Sequence, residues 1–270
     1  MTTKNTRSDL LTQLKDGIAR LTSSEAWCDY LAFQSRFHHY SYGNALLIAA
    51  QCPAATHVAV FTTWRKLQRS VRKGEKAIWI LAPMVGKRSA NDDPDAGQFV
   101  RGFKYVAVFD IGQTVGEVPP AVCTKLSGDD PSRFYVRFVE VARCFGFGVA
   151  DYAFGDATNG DCNVSEHYIR VEARNSPAQR IKTLVHELAH ALLHERVTDR
   201  PLAELEAEST AYIVCRAIGM DTGDYSFGYV ASWAGGGETA IANIKSSCGR
   251  IQKAASIILR SFDAEQVLAA

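Results

Sequence analysis

The 270-residue chain lacks a long hydrophobic run, a cysteine framework and a large net charge. No apolar stretch approaches the roughly 20 residues that span a bilayer, so no membrane helix is expected. The opening MTTKNTRSDLLTQLKDG has no continuous apolar core, which argues against a secretory leader. The seven cysteines (Cys28, Cys52, Cys123, Cys144, Cys162, Cys215 and Cys248) are odd in number, widely spaced and form no C-x-x-C. That excludes a disulfide scaffold and a zinc ribbon. It fits reduced thiols in a cytoplasmic protein, most of them small buried apolar residues.

Charge is balanced overall, 30 Lys and Arg against 29 Asp and Glu, but not along the chain. Residues 1–115 hold 15 basic and 9 acidic residues, and residues 116–270 hold 15 and 20. Two modules with different partners would give this asymmetry. Gly112–Pro131, rich in Gly and Pro and poor in periodicity, reads as the connection. The expected organisation is a first domain over 1–115, a linker over 116–131 and a second domain over 132–270. At 47% hydrophobic residues the chain has material for a sizeable core.

Apolar periodicity predicts helices over Ser8–Leu21, Ser24–Phe37 and Gly43–Gln51. Ala77–Ala82 and Phe99–Phe109, rich in β-branched and aromatic residues, predict a long hairpin around the polar Gly86–Gly97 loop. In the second half, helices are expected over Pro131–Phe145, Pro177–Arg196, Pro201–Ile218 and Glu238–Phe262. Asn159-Gly160 signals a hairpin turn before a strand at His167–Ala173. The fold class is α+β.

The strongest chemical signal is His186-Glu187-Leu188-Ala189-His190 inside a helical segment. Residues i and i+4 share a helix face, so both imidazoles can reach one metal ion. Glu187 can then act as general base on a water activated by that metal. The pattern arises by chance about once in a hundred chains of this composition, too seldom to dismiss it. Ile181, Leu184, Val185, Leu188 and Leu192 form the apolar stripe of the same helix, which leaves the histidines on the other side. Two imidazoles and a carboxylate suit one zinc ion per chain, though other divalent metals are compatible. The third ligand should come from a neighbouring element. Glu204 and Glu208, i and i+4 on the following helix, are the candidates, and Glu206 points away towards solvent. His194, a turn beyond His190, reads as a surface residue or an alternative ligand.

In the first half, Phe61–Lys76 carries Arg65, Lys66, Arg69, Arg72, Lys73 and Lys76 against the single acid Glu75. Trp64 lies within it and Tyr42 near it. Basic residues interleaved with aromatics suit a nucleic-acid single strand, because cations track phosphates and rings stack on bases. A solvated basic face over a core containing Trp64 is the alternative.

These motifs carry a family resemblance. H-E-L-A-H followed by E-L-E-A-E at Glu204–Glu208 resembles the short zincins of the ImmA/IrrE type. There the third ligand is a Glu on the following helix, supported by a residue one turn later. The resemblance implies Glu204 as ligand and Glu208 as its supporting partner, or the inverse registration. Y-S-Y-G-N-A-L-L-I from Tyr40, V-F-T-T-W-R-K-L from Val60, V-R-K-G-E-K-A-I-W-I-L-A-P from Val71 and D-T-G-D-Y-S-F-G-Y from Asp221 resemble ArdC-type antirestriction proteins. That resemblance spans most of the chain. It implies an N-terminal domain that binds single-stranded DNA and a C-terminal minimal zincin, a zinc metalloendopeptidase whose peptide or protein substrate is unidentified. Two alternatives stay open: a non-catalytic DNA-coating antirestriction protein with a structural metal site, and a peptidase regulator that cleaves a repressor.

Overall fold

The computed structural model describes residues 3–86, 99–117, 131–195, 199–220 and 237–268. The Gly86–Gly97 loop beyond Gly86, residues 118–130 of the expected linker, Cys123 and the Asp221 motif lie outside the described residues. The chain forms two compact units, Met1–Gly17 with Gly43–Pro120, and Ile18–Tyr42 with Ala121–Ala270. The segment 18–42, expected within the first domain, thus sits in the second unit. Its helix α2 (Ser24–Arg36) starts from Ser23, whose hydroxyl accepts the Ala26 amide. Trp27 of α2 is fully buried and donates its indole N–H to Ser209 at 3.0 Å. An aromatic side chain of that size adds about 1.5–3 kcal/mol on full burial, enough to anchor the helix there.

The first unit takes α1 (Thr3–Arg20) as far as Gly17, α3 (Tyr42–Gln51) from Gly43, β1 (Val58–Ala59) and α4 (Phe61–Lys66). β2 (Arg69–Val71), β3 (Ile78–Gly86), β4 (Phe99–Asp110), a 3₁₀ turn at Ile111–Gln113 and β5 (Thr114–Gly116) follow. The long hairpin is present: β3 pairs antiparallel with β4, and β1 flanks β4. Ile78, Ile80 and Val108 are buried on one face of the ribbon. The free edge of β3 is satisfied by amide side chains of α3. Asn44 exchanges two 2.9 Å bonds with the Leu81 backbone and Gln51 two with Trp79. Such pairing blunts an edge that would otherwise recruit another strand.

Gly112–Gly116, the start of the stretch read as the connection, is instead ordered by pairing. β5 pairs with β2, and Asp110 caps the turn. Gly116 has φ +138°, and a Cβ there would meet the Gln68 carbonyl at 2.3 Å. α4, β2 and β5 escaped the sequence reading because each has six residues or fewer, too short for periodicity to register.

The second unit adds α5 (Pro131–Cys144), β6 (Gly148–Tyr152), β7 (Gly160–Asn163), β8 (Tyr168–Glu172), α6 (Pro177–Leu193), α7 (Arg200–Ala217) and α8 (Gly237–Leu268). Asn159-Gly160 does not make the expected turn. Gly160 opens β7, and the turn falls at residues 164–167, where His167 takes φ +55°. β7 and β8 are antiparallel, while β6 lies parallel on the other side of β8. α6 packs on α5, α7 and the small sheet, and α7 packs on α2 and α8. Ile181, Leu184, Val185 and Leu188 are fully buried, as the stripe predicted. No disulfide joins the six described cysteines. Only Cys215 and Cys248 are buried and Cys144 is exposed, so most do not serve as core packing. No helix of the described residues is long and apolar enough to cross a membrane.

Candidate metal centre

α6 and α7 build the site. Ser176 caps α6 through the Gln179 amide with Pro177 in the first turn, and Asp199 caps α7 through the Leu202 amide. Pro and a short polar cap fix where each helix begins, and so which residues face each other. His186 Nε2 lies 3.0 Å from His190 Nε2. Glu204 Oε2 lies 3.4 Å from the first and 3.6 Å from the second. A tetrahedral ion with bonds of about 2.0–2.1 Å keeps its ligand atoms roughly 3.3–3.4 Å apart. The three residues therefore form a group that could hold one divalent cation.

Glu208 does something different. Its Oε2 lies 3.1 Å from His186 Nδ1, the nitrogen turned away from the cluster, and its Oε1 meets Lys182 Nζ at 3.0 Å. It is thus engaged behind the histidine. Burial pulls the His186 pKa down, but the bonds to Glu204 and Glu208 overcome it and raise it to about 9. Those bonds from His186 and His190 hold Glu204 well below the usual carboxylate range. The field at the cluster therefore favours positive charge. Glu187 is pushed up by burial, against the pull of His186 and His190. A raised carboxylate is better matched to taking a proton near neutral pH.

The cluster opens into a cleft of about 520 Å³ lined by Gly160, Asp161, Cys162, Val164, His186, Glu187, His190, His194, Arg200, Ala203 and Glu204. β7 lies close against α6 here: a Cβ on Gly160 would meet Thr183 Cγ2 at 2.5 Å and Glu187 Cγ at 3.3 Å. Asp161 is held by the Arg170 guanidinium.

Two residues are not where the sequence suggested. Glu206 is 1% exposed, not solvated. It accepts Ser247 Oγ at 2.5 Å and the Arg250 guanidinium at 2.5–3.1 Å. Burial pushes it up, but the bonds from His194, Arg250 and Ser247 prevail and lower its pKa. His194 is no surface residue either; its side chain is 10% exposed. Its Nδ1 lies 3.0 Å from His190 Nδ1 and its Nε2 3.2 Å from Glu206 Oε2. A signal was available: Ala203, Leu205, Ala207, Ala211, Ile213 and Val214 surround α7, so that helix has little solvated face.

In the first unit the structure divides the expected nucleic-acid residues. Arg65, Lys66, Arg72, Lys73 and Lys76 are exposed. Arg69 is committed internally: Nε donates to Thr114 Oγ1 at 2.7 Å, and its terminal nitrogens bond the carbonyls of Thr114, Gly116 and Glu117. Arg72 pairs with Glu75 at 2.9 Å and bonds the Gly112 carbonyl. Trp64 is 3% exposed, with its indole donating to Phe109 O at 2.8 Å, so it cannot stack on a base. Tyr42 is half-buried in the second unit, where burial raises its phenol pKa. The sequence reading missed an aromatic face. Trp79 pairs with Ala107, Leu81 with Tyr105 and Pro83 with Phe103, so all six share the ribbon face opposite Ile78 and Ile80. Trp79 is 37% and Phe103 60% exposed.

An H-E-x-x-H helix paired with a Glu-bearing second helix beside a small sheet defines a metallopeptidase-like domain. Residues 147–218 match the IrrE N-terminal-like domain, a peptidase M78 family, and residues 3–109 match the N-terminal domain of anti-restriction factor ArdC. The chain thus joins an ArdC N-terminal-like domain to an IrrE-like peptidase M78 domain. The fold is similar to the metal-free crystal structure of antirestriction ArdC from plasmid R388. That match has TM-score 0.53 and 22% identity, over 83% of this chain and 86% of that one. The Mn(II)-bound structure of the same ArdC matches with TM-score 0.52 and 22% identity, over 83% and 85%. An uncharacterised protein of Bacillus anthracis is 25% identical over 287 residues, covering 89% of this chain and 48% of the relative. The chain spans about half the length of that curated relative.

Proposed function

We propose that the second unit is a divalent-metal-dependent peptidase and that the first binds single-stranded DNA in an antirestriction role. The cluster of His186, His190 and Glu204, with mutual separations of 3.0–3.6 Å, carries the first half of this reading. Its donor set suits zinc best, and imidazole with carboxylate also accommodates manganese; the similar ArdC has a Mn(II)-bound structure. When bound, the cation supplies Lewis acidity to oxygens that reach it. Glu187, in the same cleft, takes a proton from water as the water oxygen bonds to the peptide carbonyl carbon. It then returns that proton to the amine nitrogen as the C–N bond breaks. A purely structural site needs only ligands, so Glu187 in the cleft favours hydrolysis over a passive metal role. The test is incubation of the zinc-loaded chain with a proteome-derived peptide mixture, with new N-termini identified. Products formed by the wild type and absent with Glu187→Gln support the reading; no products from either would sink it.

The single-strand reading rests on exposed Arg65, Lys66, Lys73 and Lys76, and on the aromatic ribbon face of Trp79, Tyr105 and Phe103. Arg101 and Lys104 are exposed on the same ribbon, and the only carboxylate in its strands, Asp110, is buried. Phosphates would meet the cations and bases the rings. The odd number and wide spacing of the cysteines support a cytoplasmic setting for both activities. Fluorescence anisotropy with a labelled single strand tests it: salt-sensitive binding is expected, and salt-insensitive or absent binding would refute it.

A further inference from the structure

We propose that His194 and Glu206 are positioning residues that fix the orientation of His190 for metal binding. The inference rests on the metal-site reading and deepens it. A metal-binding imidazole has one nitrogen for the ion and one for the protein, and the protein side sets tautomer and ring angle. His190 offers Nε2 to the cluster, so its Nδ1 carries the proton. That N–H points at His194 Nδ1, 3.0 Å away, which must therefore accept. His194 is then protonated on Nε2, and this N–H donates to Glu206 Oε2 at 3.2 Å. Every hydrogen in the chain has one direction, and it ends on a carboxylate.

The far end is anchored. Glu206 is held by Ser247 and Arg250 of α8, so its carboxylate cannot swing away from His194. Three helices, α6, α7 and α8, thus contribute to the angle of one imidazole. His186 has a shorter support, with Glu208 directly on Nδ1 and Lys182 behind it. The two ligands are backed by different machinery, and His194 is the only imidazole between a ligand and a carboxylate among the described residues. A packing role alone would not require both His194 nitrogens to meet polar partners, or Glu206 to be buried with three of them.

The test uses the full chain and two readouts besides activity. Zinc affinity is measured by competition with a chromophoric chelator, and the visible spectrum of the cobalt(II)-loaded chain reports ligand geometry. His194→Phe fills the space without accepting a hydrogen bond. It should weaken zinc binding about 10–100-fold and change the cobalt spectrum. His194→Gln, whose amide can both accept from His190 and donate to Glu206, should recover most of the affinity. Wild-type affinity and spectrum in His194→Phe would overturn the proposal. So would an equal loss in His194→Phe and His194→Gln, because the loss would then follow shape and not hydrogen bonding. Should His194→Phe fail to fold, the smaller His194→Leu is read by the same measurements and criteria. A wild-type chain that takes up neither zinc nor cobalt would overturn the metal-site reading, and this inference with it.

Discussion

The cleft between α6 and α7 and the basic stretch Phe61–Lys76 were both expected to be functional, but they encode function differently. In the cleft, helical spacing alone brings His186 and His190 to 3.0 Å, and the following helix brings Glu204 to both. In the basic stretch, residue type was a weaker guide. Of the six basic residues between Phe61 and Lys76, Arg69 is consumed by backbone carbonyls and Arg72 is tied to Glu75. Trp64 is core, while Trp79 is exposed. A metal site must converge on one point, so its ligands leave a spacing in sequence. A strand-binding surface is spread out, and each cation or ring can be diverted by a local partner.

The sharpest way to break this contrast is Glu187→Gln. It should lower peptide hydrolysis by a factor of about 10²–10⁴ while bound metal persists, since general-base catalysis contributes that much. Steady-state rates with metal content measured in parallel check it. An active Glu187→Gln chain would remove Glu187 from the role of general base and leave the convergent cluster no more informative than the ribbon.

The ribbon is sharpened by separating ring from charge. Phe103→Ala should weaken single-strand binding by about 1–3 kcal/mol, the range for one stacked base, with the salt dependence unchanged. Lys73→Glu should flatten the log–log salt slope by about 0.7. Trp64→Ala should instead cost about 3–5 kcal/mol of fold stability through cavity formation. Anisotropy titrations across salt concentrations and denaturant melts separate these outcomes. Loss of binding in a stably folded Trp64→Ala chain, with Phe103→Ala unaffected, would return the site to the basic stretch.

The elements were legible where pattern and length agreed. The H-E-x-x-H helix, its buried stripe and the long hairpin all follow from periodicity. What stayed hidden depends on partners distant in sequence. Glu206 is two residues from Glu204, and nothing local says that Ser247 and Arg250 will meet it. His194 acquires a role only once Glu206 is buried behind it. Asn159-Gly160 carried a turn signal, yet Gly160 is needed as the strand residue with no side chain against Glu187.

That last point gives a smaller prediction. Gly160→Ala overpacks β7 against Thr183 and Glu187, and should cost about 1–3 kcal/mol of stability. It should also lower activity at constant metal content, by displacing Glu187. Thermal melts and rates measured together check it, and a fully active, fully stable variant would contradict the close approach.

The smallest effect concerns acid. Arg174, together with the Arg174 and Phe154 amides, holds the Glu172 carboxyl at about 2, below its ordinary value near 4.5. Its contribution to stability is complete above about pH 4.5 and is lost as pH falls through about 2. Glu172→Gln should therefore be less stable at neutral pH, with a flatter decline between those limits. Denaturant melts across that range test it, and parallel curves would refute it.

The most direct measurement of the account is metal stoichiometry in two neighbouring variants. Elemental analysis after dialysis should find one divalent ion per wild-type chain and almost none in Glu204→Ala, whose carboxylate faces both Nε2 atoms. Glu208→Ala, which removes only the support behind His186, should retain the ion with affinity lowered about 10–100-fold. Metal retained by Glu204→Ala and lost from Glu208→Ala would contradict the site as the structure builds it.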